Sequence, residues 1–242
     1  MENKISTGSF DLNDWLEGGY EKNVITMIAG PPGSGKTNLT ILAACSQAKA
    51  NNKIIFIDTE GGFSIERVKQ IVGDNYEKYI ENILLLEPTN FQEQEKAFEK
   101  LLKTLKKEYV GLIIIDSLAM LYRLELGDAI QSKNDEKIKN VNYEMAKQMR
   151  TLAEITRKKK IPILITNQVY KNFQSNDDKK DKKSEEINIV GGDLFKYWSK
   201  CIIELKRDNE QREAILLKHR NIKFKKLKFE IQNKGIFKKK WL

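Results

Sequence analysis

Five near-continuous apolar runs limit what this chain can fold into more than any other feature. They are VITMIAG (24–30), KIIFIDTE (53–60), NILLLEP (82–88), GLIIIDSL (111–118) and IPILITNQ (161–168). Each has the length of a strand, and none alternates polar with apolar residues as a half-exposed strand would. Runs of this kind predict a parallel sheet covered on both faces. The intervening segments have helical period. Phe91, Phe98, Leu101, Leu102 and Leu105 fall on one stripe of a helix running to about Lys107, with Asn90 as its N-cap and Lys106 and Lys107 at the negative end of its dipole. A second helical segment, about 141–157, carries Met145, Met149, Leu152 and Ile155 on one side. This βαβ alternation predicts one α/β domain over residues 1–242. CIIEL (201–205), AILLK (214–218) and KLKFEI (226–231) are strand-like with short turns between them and predict an antiparallel extension of the sheet. Trp15, Trp198 and Cys45 are expected to be packing residues.

Several classes of protein are excluded at once. No apolar stretch approaches the ~20 residues of a membrane span. The opening MENKISTGSF lacks the layout of a secretory signal. Cys45 and Cys201 are too few for a disulfide framework, so a reducing cytoplasm is the expected location. With one histidine and two cysteines, a zinc site is not expected.

The strongest chemical signal is Gly30-Pro31-Pro32-Gly33-Ser34-Gly35-Lys36-Thr37, which fits G-x-x-x-x-G-K-[ST] and stands between a strand and a helix opened by Asn38. Glycines let backbone N–H groups curl around phosphate oxygens, and the helix N-terminus adds a positive dipole. Lys36 is expected to reach the β- and γ-phosphates of a bound nucleotide, and the Thr37 hydroxyl to ligate Mg2+. Asp116 ends an apolar strand, where the second Mg2+ ligand belongs; many strands also end in Asp as a simple turn signal. Glu60, just before Gly61-Gly62, has two readings from spacing alone: a carboxylate that orients an attacking water, or an acid opening the next helix.

Taken with IDTEGGFSIERV, LIIIDSLAMLYR, ILITNQV and KHR followed by FEIQNKGI, all in this order, the phosphate loop resembles that of the RecA/RadA recombinase family. The resemblance runs from STGSFDLNDWLEGG to NKGI. It implies a RecA-like ATPase core with a mostly parallel sheet, ATP and Mg2+ as cofactors, and DNA as partner. It also implies that Glu60 is the catalytic glutamate, Arg67 stacks on adenine, and Gln168 senses the γ-phosphate. Lys36 stands too near the start for the helical DNA-binding domain of some members, and no Phe-x-x-Ala polymerisation segment precedes the core, so a core-only member is expected. Residues 123–140 and about 170–191 occupy the places of the two DNA-binding loops. In the second, Lys171, Lys179, Lys180, Lys182 and Lys183 are answered by Asp177, Asp178, Asp181, Glu185 and Glu186. A near-neutral loop puts strand exchange in doubt, and a solvated surface loop is the competing reading. Lys218-His219-Arg220 resembles the K-x-R element that reaches a neighbouring subunit's nucleotide; Lys218 and Arg220 are also what two exposed strand-end residues look like.

Charge then localises a partner. The chain has 43 basic and 34 acidic residues, a net +9. Ten of the basic residues and one acidic residue lie between Lys218 and Leu242, leaving 33 of each sign in residues 1–217. The surplus is therefore local, and it makes the C-terminal face the candidate contact for DNA, single-stranded DNA above all. Lys238, Lys239, Lys240 and Trp241 combine cations with a stacking ring; a frayed terminus is the plainer alternative. The expected function is that of an ATP- and DNA-binding accessory protein of recombination and repair, with slow ATP hydrolysis and a recombinase of the RadA type as a partner. The alternative is an oligomeric RecA/KaiC-like ATPase or strand-exchange recombinase.

Overall fold

The computed structural model describes residues 3–170, 188–189, 192–209 and 211–239. A small ribbon of β1 (Lys4–Ile5) and β2 (Tyr20–Glu21) brackets α1 (Phe10–Trp15) and leads into β3 (Ile25–Ala29). Strands and helices then alternate: α2 (Lys36–Lys49), β4 (Lys53–Asp58), α3 (Ile65–Val72), α4 (Glu77–Ile80), β5 (Ile83–Leu86), α5 (Phe91–Lys107) and β6 (Val110–Asp116). Two consecutive helices, α6 (Met120–Gln131) and α7 (Asp135–Lys159), precede β7 (Ile163–Asn167). A short antiparallel pair, β8 (Val169–Tyr170) and β9 (Asn188–Ile189), is followed by α8 (Asp193–Trp198). The chain closes with β10 (Ser199–Asp208), β11 (Gln211–Lys218), β12 (Lys225–Gln232) and β13 (Gly235–Lys238).

Nine strands form one sheet in the order β13-β12-β11-β10-β3-β7-β6-β4-β5. From β10 to β5 every neighbour is parallel, and from β10 to β13 every neighbour is antiparallel. The fold is thus an α/β, RecA-like core with an antiparallel C-terminal extension. The extension joins the core through a parallel pair: its first strand, β10, lies beside β3 with Glu204 opposite Ala29. Because β10 runs on to Asp208, three residues past CIIEL, it carries charged side chains up to the end of the sheet where β3 finishes.

The central strands are apolar throughout because both faces are covered. Every residue of β3, β6 and β7 is buried. One face packs against α5 and α7 through Phe98, Leu101, Met145, Met149 and Leu152; the other packs against α1 and α2 through Leu12, Trp15, Leu39 and Cys45. Each large aliphatic side chain fully buried this way contributes about 1.5–3 kcal/mol. The expected cap of α5 is present: Asn90 Oδ1 accepts from the Glu93 N–H at 2.9 Å, and Glu93 Oε2 accepts from the Thr89 N–H at 2.8 Å. Trp198 is partly buried against the α7 side.

Residues 123–140, expected at the place of a DNA-binding loop, are mostly helix, split between α6 and α7 around a turn capped by Asn134. Of the second loop, residues 171–187, 190 and 191 lie outside the described residues, as do Lys240 and Trp241 of the tail. Among the described residues, no helix is long and apolar enough to cross a membrane.

Candidate nucleotide-binding site

Alternation along the strands decides which side chains meet. Phe56, Ile114 and Leu164 belong to the core beneath α2, so residues two further on, Asp58, Asp116 and Thr166, reach the strand ends on that same face. The C-terminal ends of parallel strands are where open α/β sheets place their ligands.

The phosphate loop leaves β3 at Gly30, whose N–H donates to Asn167 O at 3.1 Å. Gly33 and Gly35 take positive φ, 71° and 107°, conformations that exclude a β-carbon at low cost. Space excludes one too: a methyl at Gly35 would stand 2.8 Å from Ile231 Cδ1, and one at Gly30 2.7 Å from Leu205 O. Gly35 is the N-cap of α2 and supplies no capping side chain, the arrangement in which first-turn N–H groups can receive an anion. Lys36 is buried and curls back, donating to Gly30 O at 2.9 Å and Pro31 O at 3.1 Å. Burial holds its ammonium below the usual lysine range, while Glu60 and Asp116 pull it back up.

Asp116 is 1% exposed. Thr166 donates a short hydrogen bond to it, and the Thr40 hydroxyl lies 3.5 Å from its second oxygen. Burial raises its carboxyl above the ordinary range; hydrogen bonds from Thr166 and Thr37 oppose that rise, and Glu60 and Asp58 add to it. A buried carboxylate beside a hydroxyl is a hard-oxygen set suited to Mg2+, which prefers one or two protein oxygens plus phosphate and water. Ser34 Oγ, inside the loop, is buried without a hydrogen-bond partner among the described residues. The chemistry of these residues fits a Mg-nucleotide: Gly30–Thr37 would cradle its phosphates, and Thr37 and Asp116 would supply oxygens to the metal.

Glu60 and Gln168, 108 residues apart in sequence, meet here: Gln168 Nε2 donates to Glu60 Oε1 at 3.2 Å. They line a small cleft with Ser117, Met120, Arg123 and Asn167. Glu60 is exposed and does not cap α3; Ser64 does, accepting from the Arg67 N–H. The residue that holds Glu60 in place is Asp58, which the motif reading missed. Its carboxylate accepts from the N–H groups of Glu60 (3.1 Å), Gly62 (3.2 Å) and Phe63 (2.7 Å). Thr59 and Ser117 tie the ends of β4 and β6 together reciprocally: Thr59 Oγ1 donates to Ser117 O at 2.6 Å and accepts from Ser117 N at 2.9 Å. The Asp116–Ser117 peptide is cis.

Arg67 projects from α3 to the β12–β13 turn, where Nη2 donates to Gln232 O at 2.9 Å and Nη1 to Asn233 O at 3.2 Å. It lies on the α2 side of the sheet, near buried Cys45. Lys218 and Arg220 lie at the other end of the sheet. Lys218 Nζ donates to Lys196 O at 2.7 Å, and Arg220 binds Glu21 (3.3 Å) and Asn23 (2.6 Å), just before β3 begins. Neither reaches this chain's own phosphate loop. Lys238 and Lys239 are exposed on β13 and just after it, near exposed Lys226 and Lys228.

Fold and sequence together define a RecA-like α/β core that carries a P-loop motif at Gly30–Thr37. The Rad51 family model matches residues 3–239, and the chain belongs to the Rad51 family. It is 40% identical over 238 residues to the DNA repair and recombination protein RadB of Methanobrevibacter smithii, covering 96% of this chain and 95% of that protein. It is 38% identical to the protein of the same name from Methanocaldococcus jannaschii, covering 93% and 98%. A crystal structure of the RadB recombinase superposes with a TM-score of 0.73 at 28% identity, over 96% of this chain and 98% of that one.

Proposed function

We infer that this chain, like the RadB relatives named for DNA repair and recombination, serves those processes, and that it does so as an ATP- and DNA-binding accessory to a RadA-type recombinase in homologous recombination. Residues 1–242 form its single ATP-binding unit, and it works in the cytoplasm. The observation that carries the reading is the convergence of Lys36, Thr37, Asp116, Glu60 and Gln168 from four separate strand ends on one face of the sheet. Lys36 and the loop amides bind the triphosphate, and Thr37 and Asp116 hold Mg2+, which neutralises charge on the transferred phosphoryl group. Glu60 orients the attacking water, and Gln168 links that carboxylate to the segment that begins at β8. Arg67 stacks on the adenine after leaving the Gln232 and Asn233 carbonyls.

Hydrolysis is slow, since no residue of this chain reaches its own site from the Lys218–Arg220 element. An oligomeric ATPase is the second reading. Lys218 and Arg220, at the far end of the sheet from their own loop, can act only on a neighbour's nucleotide, and Arg220 must first leave Glu21. DNA lies along the basic C-terminal face that includes Lys238 and Lys239, with Lys240 and Trp241 as further candidate contacts.

Steady-state ATP hydrolysis with and without single-stranded DNA, beside a Glu60→Gln control, tests this. A low rate abolished by Glu60→Gln supports the accessory reading. Strong DNA stimulation together with sedimentation as a ring or filament would replace it with the oligomeric one.

A further inference from the structure

The parallel pairing of β10 with β3 brings to the phosphate loop a residue that no motif marks. Leu205 lies against Gly30, and two residues on, Arg207 reaches over the loop: Nη1 stands 3.4 Å from Gly33 O, and Nε donates to Asn209 O at 3.1 Å. A methyl built at Gly33 would be 2.5 Å from Nη1, so the guanidinium occupies the space above that glycine. The β10–β11 hairpin fixes its backbone, with Arg207 opposite Arg212 and Asp208 opposite Gln211.

We propose that Arg207 is a second cation of the nucleotide site, supplied in cis, that moves from these carbonyls to the terminal phosphate of ATP. The proposal rests on reading Gly30–Thr37 as an ATP site. Among the described residues the acceptors of Arg207 are neutral carbonyl oxygens, one of them at a long 3.4 Å; charged phosphate oxygens form stronger, fork-matched bonds with guanidinium. The site needs the charge. Glu60 and Asp116 act on Lys36, the cation of the loop, and Asp58 adds its charge beside Asp116. Lys218 and Arg220 are engaged at the opposite end of the sheet. An arginine placed on the developing charge of a transferred phosphoryl group is a recurrent device, in cis as well as in trans.

Isothermal titration with MgATP and with MgADP tests it on the whole chain and on the variants Arg207→Ala, Arg207→Gln, Arg207→Lys and Lys36→Ala. Arg207→Ala is expected to weaken ATP about tenfold or more and ADP less than about twofold. Arg207→Gln, which can still donate to Gly33 O and so preserve the loop, is expected to behave the same way. Arg207→Lys is expected to recover part of the loss. Unchanged ATP affinity in Arg207→Gln, or an equal loss for ATP and ADP, overturns the proposal where Lys36→Ala still loses both nucleotides. A wild-type chain that binds neither nucleotide, or Lys36→Ala that binds as wild type does, instead overturns the ATP site itself and this proposal with it.

Discussion

Asp58→Ala should loosen the turn that carries Glu60 while leaving the Glu60 side chain itself unchanged. The carboxylate is 2% exposed and accepts three backbone N–H bonds, from Glu60, Gly62 and Phe63. Bonds to a charged acceptor contribute about 1.5–3 kcal/mol each, but these are coupled and their donors sit in an exposed turn that water can reach, so they do not sum. An overall loss of about 2–4 kcal/mol follows. One effect runs the other way, since removing Asp58 relieves its repulsion of Asp116. That repulsion is the least of the causes raising the Asp116 carboxyl, well behind burial, so the lost bonds win. Asp58→Asn should fall between: an amide oxygen can keep the Glu60 and Gly62 bonds, while its NH2 faces the Phe63 N–H where a 2.7 Å bond now stands. Urea unfolding gives the stability change, and amide exchange at Glu60, Gly62 and Phe63 gives its location. A change within about 0.5 kcal/mol and unaltered exchange at those amides would refute the reasoning.

Asp116→Asn is expected to stabilise the Mg-free protein at neutral pH and to abolish its stabilisation by MgATP, both read from thermal melts. The sign follows from the raised carboxyl: its contribution is present below the unfolded value and lost as pH rises through the folded one, so the neutral amide flattens that dependence. Arg220→Ala removes a half-exposed partner of buried Glu21 and should cost about 1 kcal/mol in urea unfolding; a larger fall in DNA-stimulated ATPase than in stability would point to the trans role. Replacing Lys238, Lys239 and Lys240 by Gln, which leaves β13 and its clasp in place, should flatten the salt dependence of single-stranded DNA binding in filter or anisotropy assays. Binding with an unchanged salt slope would move the contact elsewhere.

Much of this was legible in the residues because it is local. Five apolar runs announced the buried strands, Asn90 announced its helix, and the phosphate loop stood between strand and helix as its spacing required. What stayed hidden depends on pairing. IDTE offers two acids of the same parity, and only the folded turn shows that Asp58 organises the backbone while Glu60 faces Gln168. Arg207 and Arg220 look alike in sequence; the register of β10 beside β3 and the antiparallel return of β11 put one over the phosphate loop and the other at the opposite end. The helical start of 123–140 was masked by its polar composition, since α7 buries only one side of its length.

The outermost strand, β13, is closed along its free edge by α1: Ser9 Oγ donates to Ile236 O at 2.6 Å, and the Lys238 N–H donates to Asp11 Oδ2 at 2.7 Å. These partners are 227 residues apart. A clasp of that span cannot form until residue 238 is in place, so this edge of the sheet is completed last. Closing so long a loop carries a large entropy cost that only the finished sheet offsets. The basic hairpin and the first helix should therefore be gained and lost together. Dyes placed beside Ser9 and Lys238 would report that docking as a single step.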